Sequence, residues 1–312
     1  MTKMKMMMFT VAFSLVASTA FAAGPEFASV DQSNWRRAAS HAITEAQAQP
    51  DVAERLFSLR GIDPRYYLRD RIQNPSVSAE LRRMKLPAGA LFELYLETFD
   101  AYPFASADAY PEHVGAAERA RLRTVERSAL REGLVDAIGA SGHPVAPYLL
   151  ADVVNDTQET LATRSIAAMA LGATRGEKAS TVLTSVATSR GPNALRSAAI
   201  AGLGEHRDAK SVGTLIALAN APKLDDELRA AAITGLGAVA SKHTRRVIGA
   251  ERADQAAIAL VKLFSTPVAD AHGTRLVEAV SRTGSRAAYD ALKQVDTDLA
   301  RRAVRRLARR MR

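Results

Sequence analysis

The sequence predicts an all-α protein built as a stack of helical hairpins. Three observations carry the prediction. Aromatic residues make up 5% of the 312, against 47% apolar residues overall, so the buried surface must be mostly aliphatic and alanine, which suits close helix packing better than a strand-built core. No segment alternates apolar and polar residues as a half-buried strand would. Finally, one phrase recurs: Arg131–Gly139 (REGLVDAIG), Arg164–Gly172 (RSIAAMALG), Arg196–Gly204 (RSAAIAGLG) and Arg229–Gly237 (RAAAITGLG). Their closing glycines are 33, 32 and 33 residues apart, and a weaker copy, Leu276–Gly284 (LVEAVSRTG), follows after 47. A period of this length marks a repeat array.

At the start of the chain, Lys3 and Lys5 precede an uncharged apolar run from Met6 to Phe21 that ends in Ala20-Phe21-Ala22. Basic, apolar and small-residue regions in that order predict a signal peptide over residues 1–22, cleaved before Ala23. The run falls short of the roughly 20 residues needed to span a bilayer, and no later segment is apolar enough to do so. The expected location is outside the cytoplasm: periplasmic where the cell has two membranes, secreted otherwise. The chain has no cysteine, which excludes a lipoprotein anchor, a disulfide framework and thiolate-ligated zinc or iron–sulfur sites.

Residues 23–122 lack the phrase. Eleven of the seventeen aromatic residues lie between Phe27 and Tyr110, and after them come only Tyr148, Phe264 and Tyr289, so this region has a different core chemistry. Trp35–Ala48, Val52–Leu59, Ala79–Met84 and Ala88–Tyr102 suit helices, and Pro103 and Pro111 precede a long polar helix pattern from Val114 onward. The region reads as a divergent helical cap on the first repeat, or as a small domain of its own.

Within residues 123–312 each phrase reads as one helix. Counted from its first residue, the third following position is Leu134, Ala167, Ala199, Ala232 and Ala279, and Val304 in a final helix from Arg301 to Arg309, always apolar. Positions three, four and seven share a helical face. The sixth position, Ala137, Ala170, Gly202 and Gly235, is small enough to let a neighbouring helix approach. Thr160, Asn193 and Asp225 or Asp226 suit N-caps, and each closing glycine suits a left-handed C-cap. A second apolar-periodic stretch follows each time: Val145–Val154, Lys178–Ala187, Ala209–Ala219, Ala253–Phe264 and Arg286–Val295. Such helix–turn–helix units cannot bury both apolar faces alone and must stack into a superhelix.

The pattern Leu-Arg-x-Ala-Ala-x-x-x-Leu-Gly, followed by an Asp-x-x-x-Val-x-x-Leu helix and best seen in Leu195–Leu215, resembles the short HEAT-like repeats of the phycobilisome-lyase type. The resemblance covers residues 123–312 and implies a HEAT-like helical-repeat solenoid. It says little about activity. Lyases of that family attach chromophores to cysteine-bearing partners, and no chromophore pocket is matched here. The related deoxyhypusine hydroxylases carry His-Glu pairs on these helices where this chain has Ser-Ala or Ala-Ala, so their iron chemistry is not expected.

Few residues point to chemistry. His41, His113, His143, His206, His243 and His272 are widely spaced, with no pair at i, i+4, so they read as scattered surface histidines and not as metal ligands. Asp208, beside His206, reads as a cap for the following helix. Gly202-Leu203-Gly204 closes a helix instead of following a strand, which removes it as a dinucleotide fingerprint. Glu93 and Glu97 flank Tyr95 on one helix, a spacing common for solvated carboxylates. No catalytic residue, cofactor or metal site is assigned.

Two departures from the repeat suggest contacts. The 47-residue interval holds Ser241–Glu251 (SKHTRRVIGAE), with Arg245 and Arg246, and a turn over Thr266–Gly273. Insertions in repeat arrays fall in loops on one face, as a contact or as tolerated length. The last helix carries Arg301, Arg302, Arg305, Arg306, Arg309, Arg310 and Arg312 with no acid. The net charge is +9; with Lys3 and Lys5 set aside, these seven arginines account for the whole remaining excess. Apolar Ala303, Val304, Leu307, Ala308 and Met311 face one way and the arginines the other, which suits either a plain solvated cap or contact with a polyanion. Export and the lack of interleaved aromatics argue against nucleic acid. The repeated Arg131, Arg164, Arg196 and Arg229 would form an open ladder for carboxylates, or, as the favoured reading, pair with acids of the adjacent repeat.

The reading that follows is a non-catalytic exported scaffold that binds a partner protein through residues 131–295. The alternatives are a peripheral protein binding an anionic envelope lipid or polymer through its Arg helix, and an enzyme with its site in the aromatic-rich N-terminal region.

Overall fold

The computed structural model describes residues 30–31, 33–52, 81, 83–100, 114–174, 176–206 and 208–311, the side chains of 99, 100 and 126 aside. The expected signal peptide over residues 1–22, most of the expected helix Val52–Leu59, half of Ala79–Met84, and Pro103, Pro111, His113 and Arg312 lie outside the described residues. The chain is all-α, with no strand among the described residues, and it divides into two compact units, Met1–Leu149 and Leu150–Arg312.

In the first unit, α1 (Trp35–Gln47) buries Trp35, Ala38, Ala39, Ala42 and Ala46 along one face. That stripe lies on α2 (Ala88–Asp100), where a Cβ at Gly89 would stand 1.8 Å from the Ala42 carbonyl oxygen, so only glycine fits. Phe92, Leu94 and Tyr95 of α2 are buried. α3 (Ala116–Ala140) packs on α2 through its second half, where Leu130, Leu134, Val135 and Ile138 are buried. The first phrase is the end of this long helix, and its Arg131 guanidinium stacks on Tyr95, 5.4 Å from the ring centre. The Tyr148 hydroxyl donates to the Val30 carbonyl at 2.8 Å.

α4 (Ala146–Asn155) crosses the division between the units. In the second unit, two sets of helices alternate along the chain. The phrase-bearing set is α5 (Leu161–Ala173), α7 (Asn193–Glu205), α9 (Asp226–Val239), α12 (Val268–Thr283) and α14 (Asp298–Met311); the other is α6 (Glu177–Thr188), α8 (Ala209–Asn220), α11 (Ala250–Lys262) and α13 (Arg286–Leu292). One-turn α10 (Arg245–Ile248) lies in the insertion. Each phrase helix packs on the next, like end against like end. The expected second helices Ala253–Phe264 and Arg286–Val295 differ at their ends: α11 starts three residues earlier and gives way to a 3-10 turn at Leu263–Ser265, and α13 stops at Leu292. The expected turn over Thr266–Gly273 is largely helical, because α12 already begins at Val268 and only kinks at His272.

The caps resolve in detail. Thr160, Asp208 and Asp225 each accept a hydrogen bond from a first-turn N–H, from Thr163, Lys210 and Glu227 respectively. Asn193 does not cap, since α7 starts one residue early after Pro192. The glycines also depart from expectation. Gly139, Gly172, Gly204 and Gly237 lie inside their helices, and only Gly284 ends one in the left-handed conformation. Gly172, Gly204 and Gly237 are needed for proximity. A Cβ at Gly172 would stand 2.7 Å from Gly202 Cα, at Gly204 2.7 Å from Gly235 Cα, and at Gly237 2.8 Å from Ala279 Cα. The small sixth positions Gly202 and Gly235 are thus the receiving half of each contact, as expected. In α12 that half is Ala279, so the phrase there sits three residues earlier than its glycine suggests. Leu276 and Val280 then become its third and seventh positions, and both are fully buried.

Of the repeated arginines, Arg164, Arg196 and Arg229 form neither an open ladder nor the favoured pairs with neighbouring acids. Arg164 Nε donates to the Val154 carbonyl at 2.9 Å, Arg196 Nε to Ala187 at 3.4 Å, and Arg229 to Ala219, Ala221 and Leu224 at 3.0, 2.9 and 3.2 Å. Each reaches back nine or ten residues to the end of the preceding helix. The last carbonyls of a helix lack intrahelical donors and carry its negative pole, so a guanidinium satisfies both deficits at once. Backbone oxygens outcompete carboxylates here because every helix supplies them.

Candidate functional site

The terminal helix α14 folds as its pattern requires. Ala300, Ala303 and Leu307 are fully buried, while Arg301, Arg302, Arg305, Arg306, Arg309 and Arg310 are exposed. Its buried stripe packs on α12 and α13, and near its start Leu299 fits against Gly273, where a Cβ would lie 3.0 Å from the leucine methyls.

The exposed arginines divide along the helix. Near its start, Arg301 donates to Asp296 at 2.6 Å and to Asp298 at 2.7 Å. It holds the Asp298 carboxyl below the usual carboxylate range, and Arg302 and Arg305 add to the pull. Further along, Arg306, Arg309 and Arg310 lie beside the last turns of α12. Together with Glu278, Ser281 and Arg282 they line an open cleft of about 410 Å3. Among the described residues no carboxylate pairs with Arg282, Arg306, Arg309 or Arg310. The Ser281 hydroxyl is buried and donates to the Glu278 carbonyl at 2.9 Å. Four guanidiniums from two parallel helices thus face one cleft with a single acid.

The insertion arginines are placed elsewhere. Arg245 makes two bonds to Asp254, at 2.6 and 2.7 Å, and the Ser285 hydroxyl, which caps α13, donates to the same carboxylate at 2.6 Å. Hydrogen bonding from Arg245, and then from Ser285, lowers the Asp254 pKa. This network ties the insertion to the start of α13. Arg246 is exposed; neither arginine lines the cleft.

Arg282 was not singled out by its sequence, yet a signal existed. With the phrase in α12 set three residues earlier, Arg282 takes the place of Ala140, Ala173, Glu205 and Ala238 in the other copies.

Of the histidines, His206 is buried rather than on the surface, because it closes α7 where the chain turns into α8. His143 is half-buried, its ring edge to face with Phe92 at 5.4 Å, and burial pushes its pKa down. Glu93 accepts from Gln47 at 2.7 Å, and Tyr95 is buried beneath Arg131, so Glu93 and Tyr95 are engaged in packing α1 and α3 on α2. Among the described residues no group of three His, Cys, Asp or Glu converges as a metal site, and no helix is long and apolar enough to cross a membrane.

No family model matches the chain, and no curated protein matches it.

Proposed function

We propose that the chain is an exported HEAT-like helical-repeat solenoid that works as a scaffold, binding a partner protein through the surface of its hairpin stack and doing no chemistry of its own. The observation that carries this reading is a row of uncharged residues at the fifth position of three successive phrases: Met169 and Ala201 are exposed, and Thr234 is half-buried. The glycine contacts hold the helices bearing them side by side, at the short end of the roughly 8–10 Å range of helix packing. The row is therefore shared by three units, as in the extended binding surfaces of repeat stacks. Met169 is 54% exposed, and a partner that buried it would gain about 1–2 kcal/mol.

The test is capture from envelope extract by the mature protein beginning at Ala23, at low and high salt, beside the variant Ala201→Glu. A protein kept at high salt by the native chain and released by the variant supports the reading. Retention of nothing at either salt, or of the same proteins by both forms, refutes it.

A further inference from the structure

We infer that the cleft between α12 and α14 is an anion-binding site for a phosphate-bearing ligand, held by Arg282, Arg306, Arg309 and Arg310. The inference goes beyond the scaffold reading and does not depend on it, since the cleft lies at the end of the stack and shares no residue with the Met169–Ala201–Thr234 row.

A solvated end-cap requires polarity but no particular sign of charge. The negative poles of helix ends favour cations in the last turn, which accounts for Arg282, Arg309 and Arg310 one at a time. It does not account for Arg306, a full turn further back, nor for the convergence of all four on one cleft of about 410 Å3. Elsewhere in this unit Arg229 is satisfied by three carbonyls and Arg245 by a carboxylate. Here four guanidiniums lie together with one acid, an arrangement that self-repulsion disfavours until an anion enters. Planar guanidiniums present paired N–H groups that match the oxygens of phosphate. Two helices supplying donors from opposite walls suit a group that exposes oxygens on several sides, a tetrahedral phosphate more than a planar carboxylate. The cleft is open to solvent, so the phosphate can belong to a free molecule or to a lipid headgroup.

The experiment measures binding to the full mature chain with two probes: inorganic pyrophosphate by calorimetry, and vesicles containing phosphatidic acid by co-sedimentation. Three variants accompany it: Arg306→Gln with Arg309→Gln in the cleft, Arg302→Gln with Arg305→Gln outside the cleft lining, and Arg282→Gln alone. The two doubles remove equal charge from exposed positions, and circular dichroism checks that each is folded. The expected result is a tenfold or greater loss of affinity for the cleft double, a severalfold loss for Arg282→Gln and less than twofold for the outer double. Binding of pyrophosphate identifies a free phosphate compound as the ligand class, and binding of vesicles alone identifies a headgroup. The inference is overturned if neither probe binds, or if the two doubles lose affinity equally, which would make the charge of α14 as a whole responsible. Failure here leaves capture through the Ala201 row unaffected, so the two readings fall separately.

Discussion

Gly204 of α7 lies so close to Gly235 of α9 that a Cβ on the first would stand 2.7 Å from the Cα of the second. Neither backbone can retreat without opening the helix pair. Gly204→Ala should therefore destabilise the second unit by about 2 kcal/mol, within the range for overpacked cores, despite the better helix propensity of alanine. Gly213, exposed within α8, has nothing within 4 Å of its Cβ position, and Gly213→Ala should stabilise by about 0.5–1 kcal/mol. Thermal melts of the two variants should move in opposite directions; a shift upward for both would show that the helices are not held at backbone distance.

Arg229 is 7% exposed and bonds three carbonyls at the end of α8 and in the turn beyond it, whereas Arg164 bonds one. Removing a buried donor leaves its acceptors unsatisfied. Arg229→Ala should cost about 3 kcal/mol and Arg164→Ala about 1 kcal/mol in urea unfolding. Arg229→Lys should recover only part of the loss, because an ammonium lacks the planar fork that spans separate acceptors. Full recovery with lysine would show that charge at the helix end suffices.

Burial lowers the His143 pKa from its ordinary 6.5, with Glu45 opposing more weakly. The ring also accepts a hydrogen bond from the Val145 N–H through Nδ1, which suits its neutral form. The unfolded chain then binds the proton more readily than the folded one, so the stability from neutral His143 is complete above about pH 6.5 and declines as pH falls through the lowered folded value. Histidine titration by NMR should place His143 below 6.5, and His143→Gln should flatten that part of the stability profile. A midpoint above 6.5 would reverse the sign and refute the account.

The fold was largely legible because helix starts and buried faces are written locally. Thr160, Asp208 and Asp225 act within one turn of themselves, and the third-position residues from Leu134 to Ala232 are buried by periodicity alone. The closing glycines were misread because glycine serves two ends, a left-handed backbone and the absence of a side chain. Which applies depends on a neighbour some thirty residues away, as Gly235 is from Gly204. The repeated arginines were visible as a pattern, but the partners of Arg164, Arg196 and Arg229 are backbone carbonyls, which no residue type announces. The basic face of α14 was legible from composition; the cleft was not, because Arg282 sits in a copy whose glycine points to the wrong register.

The backward reach of the arginines gives the array a grammatical direction, in which each unit closes the sentence begun by the one before it. Arg164, Arg196 and Arg229 belong by sequence to one hairpin and by bonding to its predecessor, so no single hairpin is a self-sufficient module. A segment copied from one arginine to the residue before the next, such as 196–228, brings a new closing arginine to every junction it creates. At α12, where Gly273 occupies the arginine position, the series stops renewing itself.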